Sequence, residues 1–135
     1  MALQFSVSVR NGQLDSPETT IGPSAILRMR SGTVPANCAA ADSGTVLATV
    51  NLPSDWMSAA SGGSKTLFGT WQDTSADATG TVGHFRIYDS AGTTCHMQGT
   101  VTATGGGGDM TVENTSFASG QQFTVNSFTI TAGNA

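Results

Sequence analysis

Charge is scarce in this chain. Only 10% of its residues are Asp, Glu, Lys or Arg, against about 25% in an average soluble domain. A single lysine, Lys65, stands beside four arginines, and the formal net charge is -4. No cluster of Lys and Arg is present to displace counterions from phosphates, so no nucleic-acid partner is expected. Long apolar runs are missing too. None approaches the roughly 18 residues of a membrane-spanning helix, so no membrane partner is expected. The Ala, Glu, Lys, Leu and Arg richness of a coiled coil is lacking as well. Cysteine is limited to Cys38 and Cys95. Two cysteines permit one disulfide but no framework of them, and neither has the CxxC spacing of a zinc knuckle. In a reducing compartment the pair reads as two thiols. The opening Met1-Ala2-Leu3-Gln4-Phe5-Ser6-Val7 offers neither a basic n-region nor a continuous apolar h-region. The expectation is a protein made and folded in a cytosol.

Small and hydroxylated residues fill the space that charge leaves. Twenty threonines, fifteen serines and seventeen glycines occur in 135 residues. That length is one domain's worth, and 38% apolar residues with low net charge are enough for collapse. Such a surface suits a protein that ends up outside cells. Assembly inside a cell followed by release on lysis reconciles it with the missing leader.

Alternation of apolar and polar residues predicts strands along most of the chain. Ala25 to Arg30 places Ala25, Leu27 and Met29 on one face, with Arg28 and Arg30 on the other. Thr45 to Leu52 places Val46, Ala48, Val50 and Leu52 together. Lys65 to Trp71 is shorter and less regular. His84 to Asp89 points Phe85 and Ile87 inward, with His84, Arg86 and Tyr88 outward. Thr94 to Val101 aligns Cys95, Met97, Gly99 and Val101 on the core side. Asp109 to Val112 is a short strand after Gly105–Gly108, which reads as a flexible loop. Gln122 to Thr131 is long and changes phase between Val125 and Phe128, which predicts a β-bulge near Asn126-Ser127 or a passage between sheets. The first nine residues alternate at Leu3, Phe5, Val7 and Val9, which favours a strand over a helix. Helix signals are confined to one turn at Pro53–Met57, capped by Ser54. For the hairpin between the fifth and sixth of these segments, a three-residue loop Ser90-Ala91-Gly92 pairs Asp89 with Thr93. Tyr88 then opposes Thr94, Ile87 opposes Cys95, Arg86 opposes His96 and Phe85 opposes Met97, with Gly92 left-handed. The fold expected is all-β: a single-domain antiparallel β-sandwich over residues 1–135, jelly-roll-like.

Candidate chemistry is sparse. His84 and His96 have no third ligand by strand parity, so they read as surface or interface histidines and no metal is expected. No Gly-x-Ser-x-Gly elbow opens a helix. The two glutamates and seven aspartates form no evident carboxylate pair. Gly105–Gly108 lacks the Lys-Ser/Thr ending of a phosphate loop. Asn114-Thr115-Ser116 is a sequon only in an exported protein. Neither catalysis nor a cofactor is expected. Trp56, Trp71 and Tyr88 could form a sugar-stacking platform, or the tryptophans could belong to the core or a protein interface. The Arg28 and Arg30 face is the best contact surface, since arginine is favoured at interfaces. The candidate protein-interface residues are therefore Arg28, Arg30, Trp56, Trp71, His84 and Tyr88.

Three stretches carry a resemblance together: Leu27–Asn37 (Leu-Arg-Met-Arg-Ser-Gly-Thr-Val-Pro-Ala-Asn), Gly44–Thr49 and Gly83–Cys95, followed by the ending from Gly105 with Phe128-Thr129-Ile130-Thr131. They resemble small virion proteins of tailed bacteriophages and prophages. The resemblance implies a non-enzymatic structural protein of the virion, assembled in the bacterial cytoplasm. Compact size without repeats or a stem favours a capsid decoration or cement protein bound to the major capsid protein. A tail or tail-fibre-associated protein is the alternative, and a host-glycan-binding adhesion module a further one. A homo-oligomer, dimer or trimer, or a lattice-bound subunit, is expected because reinforcement of a shell needs repeated contacts.

Overall fold

The computed structural model describes residues 3–133. The expected single domain over 1–135 thus extends two residues beyond the described chain at each end. The chain opens with a helix, α1 (Val7–Ile21), and continues in β1 (Ile26–Ser31), β2 (Val46–Asn51), β3 (Ser64–Thr66), β4 (Gln72–Asp73), β5 (Gly80–Tyr88), β6 (Cys95–Ala103), β7 (Met110–Val112), β8 (Ser116–Phe117) and β9 (Phe123–Thr131). The described strands form one sheet in the order β2-β1-β5-β6-β7-β9-β3, with β4 added to β9 and β8 to β5. Pairing is antiparallel except between β6 and β7, which run parallel, so the sheet is mixed. It curls on itself. Phe85 of β5 and Phe128 of β9 are not on neighbouring strands, yet their rings meet edge-on with centroids 5.4 Å apart.

The N-terminal segment departs from its alternating pattern. Ser6 caps a helix instead, its side chain accepting a hydrogen bond from the Val9 amide at 3.2 Å. The helix ends at Gly22, whose amide donates to the Glu18 carbonyl. Alternation of apolar residues needs a neighbouring strand to become a strand. Here Val7 and Val9 remain exposed, and α1 buries only Leu14 and Ile21. The turn expected at Pro53–Met57 is not helical either: Trp56 and Met57 drop into the core, and Met57 bridges to Leu67.

The core faces of β1 and β5 follow their periodicity, burying Leu27, Met29, Phe85 and Ile87. In β2 a register shift against Met29/Arg30 buries Leu47 in addition to Ala48 and Val50. The phase change in β9 is a bulge at the expected place. Thr111 pairs with Ser127 and Val112 with Val125, leaving Asn126 as the extra residue, so Phe123, Val125 and Phe128 all reach the interior. The two tryptophans are the largest buried side chains, with ring centroids 6.0 Å apart, and Trp71 also meets Phe128 at 5.6 Å. Each buried ring of this size contributes about 1.5–3 kcal/mol.

The β5–β6 hairpin is longer than a three-residue loop. Ile87 opposes Met97, Arg86 opposes Gln98 and Phe85 opposes Gly99, while Tyr88 opposes Cys95, with His96 bulged out between. Gly92 is left-handed at φ 71° as expected, and its amide donates to Asp89. The Asp89 carboxylate accepts from the amides of Thr93 and Thr94, which extends the loop through Thr93. The bulge turns Cys95 away from the core face and onto the side of Arg86 and Tyr88, which corrects its expected inward position.

Gly105–Gly108 is not a loose tether. It returns the chain so that β7 lies parallel to the end of β6. The Gly108 amide donates to the Thr102 hydroxyl, and the Asp109 carboxylate accepts from the Thr100 amide. A Cβ at Gly108 would stand 2.9 Å from the Thr102 amide nitrogen. Only glycine lets so short a return hug the strand it leaves.

Candidate functional site

The face of β1, β5 and β6 opposite the core carries Arg28, Arg30, His84, Arg86, Tyr88 and Gln98 by strand parity. A sheet face bearing three arginines should be solvated. Instead the 32–45 segment folds across it, and Arg30, His84, Arg86 and Tyr88 are buried. The outward, accessible placement expected for these side chains is therefore corrected. They face away from the core but lie under a loop of the same chain.

Asp42 is the keystone of that loop. Its carboxylate accepts from Arg86 Nη1 at 2.6 Å, Arg30 Nη2 at 3.0 Å and the Tyr88 hydroxyl at 2.6 Å. Arg86 spends its other donors on Gln98 Oε1 and on the carbonyls of Asn37 and Ala40. Gln98 in turn donates to the Pro35 carbonyl at 2.7 Å. The Asn37 side chain accepts from the amides of Ala39 and Ala40, shaping the turn that presents those carbonyls. His84 shares a hydrogen bond between Nδ1 and the Gly32 carbonyl at 3.0 Å, while its buried Nε2 has no partner. Burial pushes the Asp42 carboxyl up, but the Tyr88 hydroxyl and the two guanidiniums outweigh it and hold it below the usual carboxylate range. Burial also opposes the charge on Arg86, and Asp42 overcomes it. On Tyr88, burial and the acceptor Asp42 both push the phenol up. Two cations thus share one carboxylate, with their hydrogen bonds spent on holding a loop.

Arg28 alone of the expected interface residues keeps part of its surface. It lies over the Tyr88 ring at 4.7 Å and donates to the Gly92 carbonyl. Trp56 and Trp71 offer no platform for sugar. Both are fully buried, and their indole N–H groups donate to carbonyls of Gly22 and of Trp56 and Phe68 respectively. The tryptophans therefore lie in the core and Arg30, His84 and Tyr88 under the loop, with Arg28 half-buried beside Tyr88, so the six do not form one surface.

A second buried charge lies under α1. Lys65 on β3 is only 3% exposed and pairs with Asp15 at 2.7 Å and Glu18 at 2.9 Å. Those carboxylates also accept from the amides of Ala60 and Met57. Burial works against the Lys65 charge, and the two carboxylates raise its pKa regardless. The chain's single lysine therefore bolts the helix to the sheet. Asp42, Arg86 and Gln98 were not among the expected interface residues, nor was the Lys65 pair. Asp42 sits in a loop without periodicity, so no sequence signal marks it, whereas a lone lysine beside Thr-rich strands is at least conspicuous.

Among the described residues no group of three or more His, Cys, Asp or Glu side chains is placed to hold a metal ion. No helix among them is long and apolar enough to cross a membrane. The chain matches no family model, no curated protein and no solved structure.

Proposed function

We propose that this protein is a non-enzymatic structural component of a tailed-phage virion, a decoration or cement protein that binds the major capsid protein on the head surface. The fold would serve as a jelly-roll-like sandwich, with the β2-β1-β5-β6 half as one layer and β9-β3 as the other. The observation that carries the reading is where polarity and apolarity are spent. Arg30, Arg86 and Lys65 are consumed by internal pairs. Among the described residues the exposed large apolar side chains are Leu3, Phe5, Val7, Val9 and Phe68. Cations spent internally and exposed apolar side chains at Leu3, Val7 and Val9 support attachment to another protein. Repeated copies on a symmetric shell, or a homo-oligomer seated on it, would supply the contacts that one small module lacks.

Staged disassembly of purified particles tests the reading. Mass spectrometry should find the protein with the capsid shells after the tails are detached. Its appearance with the tails would transfer it to the tail. Its absence from particles would end the proposal.

A further inference from the structure

The two cysteines lie far apart in sequence and close together in the fold. Cys38 occupies the turn between Asn37 and Ala40, closed by the Ala40 amide donating to the Asn37 carbonyl at 3.1 Å. Arg86 holds that turn against the sheet by donating to both Asn37 and Ala40 carbonyls. From the other side, the bulge at His96 delivers Cys95 to the same face, opposite Tyr88. Both thiols line one cleft with Arg86, Tyr88, Thr93 and Thr94. Both are free and partly exposed. The Cys95 thiol donates to the Met97 carbonyl at 3.5 Å, and burial together with the neighbouring Cys38 thiol pushes its pKa up.

We propose that Cys38 and Cys95 are a modification site: an intramolecular disulfide that forms when the protein meets an oxidised low-molecular-weight disulfide. The Cys38 thiolate attacks one sulfur of that reagent, forming a mixed disulfide and expelling the first reduced thiol. The Cys95 thiolate then attacks the Cys38 sulfur and expels the second. Two thiols of the protein are oxidised, one reagent disulfide is reduced to two thiols, and the protons of Cys38 and Cys95 pass to the leaving groups. The geometry favours closure over a lasting adduct because Cys95 waits beside the mixed disulfide, an intramolecular partner at high effective concentration. The product staples the 32–45 segment to β6 and locks the loop over Arg30, Arg86 and Tyr88. This site stands on the placement of the two thiols and does not depend on the proposed function.

The test incubates the full chain with oxidised glutathione and measures intact mass without reductant. The expected product has lost the mass of two hydrogens and yields one Cys38–Cys95 peptide on digestion. Its thermal midpoint should rise by roughly 5–15 °C, because the closed loop is long, and reduction should reverse the gain. Cys38→Ser and Cys95→Ser should each abolish both the mass change and the shift. A stable glutathione adduct without closure, a disulfide between chains, or thiols left reduced at equilibrium would each overturn the proposal.

Discussion

Asp42 is the residue on which the covered face depends. With Asn in its place, Arg30 and Arg86 would lie under the loop without a counter-charge. The carboxylate is 39% exposed on its side chain, so the cost is set below that of breaking a fully buried pair. Asp42→Asn should destabilise by about 1–3 kcal/mol, measured by urea unfolding. The pH dependence follows from the same carboxyl. Its pKa in the folded state is depressed, so its contribution is complete above the ordinary carboxylate range and is lost as the pH falls through the depressed value. The variant should therefore show a shallower loss of stability on the acid side than the parent. Arg30→Ala should lower the unfolding midpoint as well, since Arg30 serves the same pair and is not a free contact. Cys95 offers a kinetic readout at this scale. Burial, followed by the neighbouring Cys38 thiol, pushes its thiol up to about 11. Its alkylation should accordingly be slow near neutrality and accelerate about tenfold per pH unit toward that value. A rate that levels off at about pH 8.5 would show an ordinary exposed thiol.

At the scale of elements, α1 is held by few apolar side chains, while the Gly105–Gly108 return lies close against β6. The helix buries only two apolar side chains, so Lys65 carries much of its docking. Lys65→Met should cost about 2–3 kcal/mol, and far-UV circular dichroism should lose helix before the sheet melts. Gly108→Ala should destabilise by about 1–3 kcal/mol, because the added methyl meets the backbone of Thr102. The two elements also mark where sequence reading succeeds and fails. Period-2 patterning located β1, β2, β5, β6 and β9, and even the bulge at Asn126, because those strands have one face in the core and a register slip would expose it. The same rule misled at Leu3–Val9, where alternation has no neighbouring strand to pair with and a serine cap decides the matter. It misled again in the β5–β6 hairpin. Parity kept Phe85, Ile87 and Met97 on one face, but Asp89 captured two more amides and His96 bulged, so the pairing moved. The loop over the arginine face was illegible, since its bonds join residues dozens of positions apart and none of its own residues repeats with a period.

For the whole molecule, the sparse charge of the sequence becomes sparser at the surface. Three of the five cations are buried in pairs, which leaves a neutral-to-acidic exterior, with exposed apolar side chains at Leu3, Val7 and Val9 just before and at the start of α1. The proposed attachment to the head would run through those side chains. The most direct measurement is co-sedimentation of the purified protein with emptied heads stripped of it, comparing the parent with Val7→Asp/Val9→Asp. The account predicts saturable binding of the parent to heads and not to tails. It predicts loss of that binding in the variant, with the thermal midpoint unchanged. Failure of the parent to sediment with heads, or equal binding by the variant, would contradict it.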